Sequence, residues 1–155
     1  MNVTLEINGR AHEVEAQAGE TLLEVLRGRL GLLGAKRGCN QGVCGACTVL
    51  IDGRPMRGCL SLAVNCTGRK ITTIEGLADG DALAPVQQAF IDTGAVQCGF
   101  CIPGMLLTAH ALLAETPNPS VEEVRAGLAG NLCRCSGYVK LIDAVRLAAA
   151  EGRAG

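Results

Sequence analysis

Eight of the chain's nine cysteines fall into two sets whose spacing suits metal–sulfur chemistry: Cys39, Cys44, Cys47 and Cys59, then Cys98, Cys101, Cys133 and Cys135. The first set reads C-x4-C-x2-C with a fourth cysteine further on, the spacing of a two-iron, two-sulfide cluster. Such a cluster needs two thiolates on each iron, so three cysteines can come from one loop and the fourth from another segment. The run Thr48-Val49-Leu50-Ile51 followed by Asp52-Gly53 predicts a hairpin. Residues 47 and 59 are symmetric about Gly53, so the hairpin should return Cys59 to the level of Cys47 as the fourth ligand. Cys66 lies beyond this reach and is expected to be a small buried hydrophobe.

The glycines in Gly38-Cys39-Asn40-Gln41-Gly42-Val43-Cys44-Gly45-Ala46-Cys47 permit positive backbone angles and close approach, so amide N–H groups can point at sulfur. Short-spaced cysteines without a secretory signal favour metal or redox chemistry over a disulfide framework. The second set, Gln97-Cys98-Gly99-Phe100-Cys101 with Cys133-Arg134-Cys135, is less decisive. Its two pairs suit either a second cluster or a tetrahedral zinc site, although C-x-C is tight for zinc.

Other chemistry is sparse. Gly28, Gly31 and Gly34 have the wrong spacing for a dinucleotide fingerprint, and no phosphate-binding G-x-x-x-x-G-K occurs. His12 and His110 are the only imidazoles, one on a predicted strand and one in an apolar helix, where a core or interface role is expected. No catalytic nucleophile, base and orienting group assemble. What remains is electron transfer: two centres in one small chain split a long tunnelling jump into two short ones.

These cysteines need a scaffold. Val3, Leu5 and Ile7 alternate with polar residues, and Asn8-Gly9 turns the chain into a second strand over His12 to Glu15. Thr21-x-x-Glu24 predicts a capped helix reaching about Leu30, and Lys70 to Ile74 predicts a further strand. Residues 76–81 read as a linker between an N-terminal domain, 1–75, and a helical domain, 82–155. Helices are predicted at about 83–93, 103–115, 120–129 and 138–151, with Pro103 at a first helical position and Ser120-x-x-Glu123 as a second capping box. Cys98 and Cys101 would enter the second of these helices and Cys133 and Cys135 leave the third, so both pairs can meet at one end of a four-helix bundle. The fold class is α+β.

Of the 155 residues, 48% are hydrophobic and only 2% aromatic, so the core must be aliphatic. The net charge of −1 and the scarcity of aromatics argue against a nucleic-acid partner. Residues 102–114 are apolar but too short to span a bilayer, and no signal peptide is visible, so the chain is expected to be cytoplasmic, with export on a signal-bearing partner the alternative.

Four blocks carry a family resemblance: Cys39 through Val49; Gly58-Cys59-Leu60-Ser61-Leu62-Ala63; Gln97-Cys98-Gly99-Phe100-Cys101-Ile102-Pro103-Gly104-Met105; and Asn131-Leu132-Cys133-Arg134-Cys135-Ser136-Gly137-Tyr138. In this order, over about residues 2–151, they resemble the small iron–sulfur subunit of the xanthine oxidase family of molybdenum hydroxylases. The resemblance implies two [2Fe-2S] clusters, one in a β-grasp, plant-type ferredoxin-like domain and one in the helical domain, and argues against zinc. It implies a molybdopterin cofactor held by a separate large subunit, with electrons leaving through both clusters to FAD in another subunit or to an external acceptor. It also implies that Gln97 contacts the pterin and that Cys135, besides ligating the nearer cluster, lies against it. Substrate choice would belong to the molybdenum subunit. A free two-cluster ferredoxin, and a module with one cluster and one zinc, are the competing expectations.

Overall fold

The computed structural model describes residues 1–154. The expected helical domain ends at residue 155, and Gly155 lies outside the described residues. The fold is α+β, a mixed five-stranded sheet followed by helices.

The sheet grows from two hairpins. β1 (Asn2–Ile7) pairs antiparallel with β2 (Arg10–Glu15), and β3 (Thr48–Ile51) with β4 (Arg54–Arg57). Asn8 and Gly9 have φ of 52° and 76°, and Asp52 and Gly53 have 51° and 78°, the paired positive angles of two-residue hairpin turns. β5 (Lys70–Thr72) lies between them, parallel to β1 and antiparallel to β3, giving the order β2-β1-β5-β3-β4. The predicted strand to Ile74 stops two residues early. The Thr73 N–H donates to the Asn8 side chain at 2.9 Å, and Ile74–Gly76 turns as a 3₁₀ helix.

α1 (Leu22–Glu24) packs Leu22 and Leu23 into the first core with Val3, Leu5 and Ile7. The predicted capping box is present: the Glu24 N–H donates to Thr21 Oγ1 at 3.2 Å, and the Thr21 N–H to Glu24 Oε2 at 2.8 Å. The helix does not stay α throughout. Over Val25–Arg29 it widens into a π turn, closed by the Leu30 N–H on the Val25 carbonyl at 3.1 Å.

The helical half comprises α2 (Pro85–Asp92), α3 (Ile102–Glu115), α4 (Val121–Leu128) and α5 (Val139–Ala154). The second predicted capping box also forms, with the Glu123 N–H on Ser120 Oγ and the Ser120 N–H on Glu123 Oε2. Because α3 begins at Ile102, Pro103 occupies its second position rather than its first. α2 lies along α5, α5 touches α4, and α3 bridges α4 and α2 around Phe90, Met105, Leu128, Leu141 and Val145.

β3 explains how the halves dock. Its four residues are all buried: Val49 and Ile51 face the first core, while Leu50 meets Leu107 and Ala111 of α3. A strand covered on both faces reads as a continuous apolar run, which is what Val49-Leu50-Ile51 is. No helix among the described residues is long and apolar enough to cross a membrane.

Candidate metal centres

The first set of thiols is built by a loop whose amides turn inward. The N–H groups of Gln41, Val43 and Cys44 point at Cys39 Sγ at 3.3–3.4 Å, and those of Cys39 and Ala46 at Cys44 Sγ at 3.4 Å. Asn40, Gly42 and Gly45 make the turns with φ of 55°, 82° and 78°. Gly38 serves by size: a Cβ there would come within 2.7 Å of Cys44 Sγ. The amides hold the Cys39 thiol down to about 6, with Cys44 and Gln41 N–H the main contributors. Cys47 and Cys59 are buried behind this loop. Burial, together with the neighbouring Cys59 and Cys44 thiols, pushes Cys47 up to about 11.

The hairpin brings Cys47 and Cys59 together, but not by the predicted register. Thr48 pairs with Arg57, and the Gly58 N–H donates to the Cys47 carbonyl at 3.1 Å, so residue 47 faces 58. In a two-residue turn the symmetry axis falls between Asp52 and Gly53, not on Gly53. Cys59 comes one residue later and reaches Cys47 with its side chain. Cys66 is buried in the first core, its S–H directed at the Leu62 carbonyl, and burial pushes its thiol up.

The second set joins two loops distant in sequence. Cys101 is buried at the start of α3, and burial, then the Cys133 and Cys98 thiols, pushes it up to about 12. Cys98 and Cys135 are exposed and adjacent, and the Cys98 thiol, hydrogen-bonded to Cys135, raises the latter. Burial pushes Cys133 upward too, but the Ser136 hydroxyl and N–H, the Cys135 N–H and the Cys101 thiol together more than offset it, leaving that thiol below its ordinary range. Gln97 is exposed, with Nε2 reaching the Cys135 carbonyl at 3.4 Å. All nine cysteines are unpaired, and among the described residues no three Cys, His, Asp or Glu side chains clasp a single point. The thiols approach in pairs, and N–H or O–H groups point at the sulfurs of Cys39, Cys44 and Cys133, the kind of donor that suits a thiolate-ligated cluster.

Residues 5–84 match the family described as a 2Fe-2S iron-sulfur cluster binding domain, and residues 73–146 the [2Fe-2S] binding domain. The nicotinate dehydrogenase small FeS subunit of Eubacterium barkeri is 45% identical over 96% of this chain and 94% of its own length. The nicotine 6-hydroxylase small subunit of Paenarthrobacter nicotinovorans is 50% identical over 94% and 87%. The crystal structure of quinoline 2-oxidoreductase from Pseudomonas putida 86 contains a chain that superposes with a TM-score of 0.95 at 48% identity, covering all of this chain and 97% of that one. This chain belongs to the small iron–sulfur subunits of the xanthine oxidase family of molybdenum hydroxylases.

Within this iron–sulfur subunit the two thiol sets are locked to one another. The Leu132 N–H donates to the Cys44 carbonyl at 2.9 Å, one residue before Cys133. Buried Asn131 donates to the Gly45 carbonyl at 3.2 Å and Thr48 Oγ1 at 3.3 Å, and accepts from Thr108 at 3.0 Å. Arg57 reaches across from β4 to Thr48 Oγ1 and the Gly130 carbonyl. Glycine makes this closeness workable, since a Cβ on Gly45 or Gly104 would lie 2.5 Å from a backbone oxygen of the opposite half. Sequence reasoning gave no role to Asn131, Ser136 or Tyr138. Nothing in their type or spacing marked them: each is an ordinary polar residue given its role by the fold.

The two imidazoles stay apart from both centres in role. His12 is half-buried on β2, and His110 is exposed on α3, so a core position does not hold for His110.

Proposed function

We propose that this chain holds two [2Fe-2S] clusters and carries electrons from the molybdopterin cofactor of a large partner subunit to FAD or another acceptor outside this chain. Cys39, Cys44, Cys47 and Cys59 would hold the first cluster in a β-grasp ferredoxin-like domain, residues 1–75. Cys98, Cys101, Cys133 and Cys135 would hold the second in a four-helix bundle domain, residues 82–155, with 76–81 as the joint. When bound, each cluster takes up and gives back one electron without bond breaking. The chain's own part is to fix positions, exclude movement and aim donors at sulfur.

The observation that carries this reading is the seam. The Cys44 carbonyl bonded to Leu132, beside Cys133, ties one set of thiols to the other. A relay needs that, because tunnelling falls steeply with distance. Exposed Cys135 and Gln97 mark the face toward the pterin. An amide there can both donate to and accept from a pterin edge.

Affinity purification of the tagged chain from its native host is the test. The expected result is copurification, in fixed ratio, with a large chain carrying molybdenum. Recovery of the chain alone, loaded with iron, would instead identify a free two-cluster ferredoxin. Gln97→Ala should slow reduction of both clusters by substrate in rapid mixing while iron content stays unchanged; an unaltered rate removes Gln97 from the pterin contact.

A further inference from the structure

The donors at the two centres differ in kind. No hydroxyl among the described residues reaches Cys39 or Cys44, whose N–H donors are all backbone, whereas Cys133 Sγ receives the Ser136 hydroxyl at 3.0 Å as well as the Ser136 N–H at 3.4 Å. Among the described residues this is the one side-chain hydroxyl that donates to a cysteine sulfur.

The hydroxyl is itself oriented. The Tyr138 N–H donates to Ser136 Oγ at 3.2 Å, occupying that oxygen as an acceptor and leaving its hydrogen for sulfur. Tyr138 is held in turn: its hydroxyl accepts the Cys133 N–H at 2.8 Å and donates to the Asn131 carbonyl at 3.3 Å. Its φ of 69° is unusual for a bulky residue and follows Gly137 at 64°. Such a conformation persists only where the surroundings enforce it. Here the Tyr138 hydroxyl binds Cys133 and Asn131, its N–H binds Ser136, and its carbonyl accepts the Ile142 N–H at 3.0 Å.

We propose that Ser136 sets the reduction potential of the helical-half centre through its hydrogen bond to Cys133, with Tyr138 as the positioning residue that aims it. This rests on the two-cluster reading above. A donor on a ligand sulfur stabilises the more negative, reduced form over the oxidised one and so raises the potential. The electron arrives from outside the chain, no bond forms or breaks, and the Ser136 hydroxyl keeps its proton throughout. A backbone N–H cannot be removed by substitution without changing the fold, but a serine hydroxyl can. The helical-half centre is thus the one whose potential a single side chain adjusts.

The test is an EPR-monitored redox titration of the intact complex, with dithionite as reductant and iron determined on each sample. The helical-half signal is assigned by its loss in Cys101→Ser. Ser136→Ala is expected to lower the midpoint of that signal and leave the other unmoved, while Ser136→Thr, which keeps the hydroxyl, stays at the wild-type value. Tyr138→Phe should shift the same midpoint in the same direction by less, and it decides the matter if Ser136→Ala fails to load. Unmoved midpoints in the loaded variants, or a Ser136→Thr shift as large as that of Ser136→Ala, overturn the proposal. Wild-type complex with iron for only one cluster would overturn the underlying two-cluster reading instead.

Discussion

The two thiol sets solve one problem by opposite means. The N-terminal set has three of its cysteines on a single loop, with Cys59 returned to them by the β3–β4 hairpin, and that loop is shaped by backbone: positive φ at Asn40, Gly42 and Gly45 turns the amides onto Cys39 and Cys44. The helical set is assembled from two loops more than thirty residues apart and is shaped by the side chains of Ser136, Tyr138 and Asn131. Local backbone shaping leaves a compact spacing signature. Shaping by side chains leaves almost none, because the residues that matter are ordinary polar ones given their role by the fold. The donors of the first loop belong to the backbone and stay when a side chain is changed, whereas the Ser136 hydroxyl of the second can be removed by one substitution.

The harshest way to break this comparison is to remove one buried cysteine from each set. Cys47→Ser and Cys101→Ser should each lower iron from about four to about two per chain and erase one EPR signal, leaving the other. Loss of both signals from either variant would show that the centres are not separable.

The seam comes next. Leu107→Ala empties a fully buried position between β3 and α3 and should cost about 2–5 kcal/mol in thermal or denaturant unfolding. Asn131→Ala strands the Thr108 hydroxyl and removes the donor to Gly45, at about 1–3 kcal/mol.

Gly104→Ala sharpens the same point with the opposite prior. In an unconstrained helix it would stabilise by up to about 1 kcal/mol, yet here the new Cβ meets the Gly45 carbonyl at 2.5 Å. A lower melting temperature supports close backbone docking, and a higher one contradicts it.

The smallest effect is read in acid. The Glu24 carboxyl lies below its ordinary value of 4.5, chiefly because the Thr21 N–H and hydroxyl donate to it. Glu20, Asp52 and Glu75 are lowered too, and in the helical half the Ser120 N–H and hydroxyl hold Glu123 down. A carboxylate with a depressed pKa contributes stability that is fully present above the ordinary value and is lost as pH falls through the folded one. Glu24→Gln should therefore melt slightly below wild type at pH 7, and the gap should close as pH drops below about 4.5. A gap that persists unchanged to acid pH removes the carboxylate from the account.

Much of this was legible in the sequence where the determinants are local. Asn8-Gly9, Asp52-Gly53, Thr21 with Glu24 and Ser120 with Glu123 each fix a turn or cap within four residues, and each formed as read. The hairpin register was misplaced by one residue because a two-residue turn has no central residue. The strand ending at Thr72 and the π turn after Glu24 were not legible. The first depends on Asn8, distant in sequence, and the second has no marker in the pattern of apolar residues. At the site, the first set of cysteines announced its chemistry by spacing. The second needed the family resemblance, and its hydroxyl donor became visible only once Ser136 was seen beside Cys133.

The central claim is that one chain carries two iron–sulfur centres of the same composition, differently shaped. Iron, acid-labile sulfide and zinc analysis of the purified complex tests it most directly. The account predicts about four irons and four sulfides per chain with no stoichiometric zinc. Two irons with one zinc would contradict it, leaving the helical half a structural metal site and the relay without its second step.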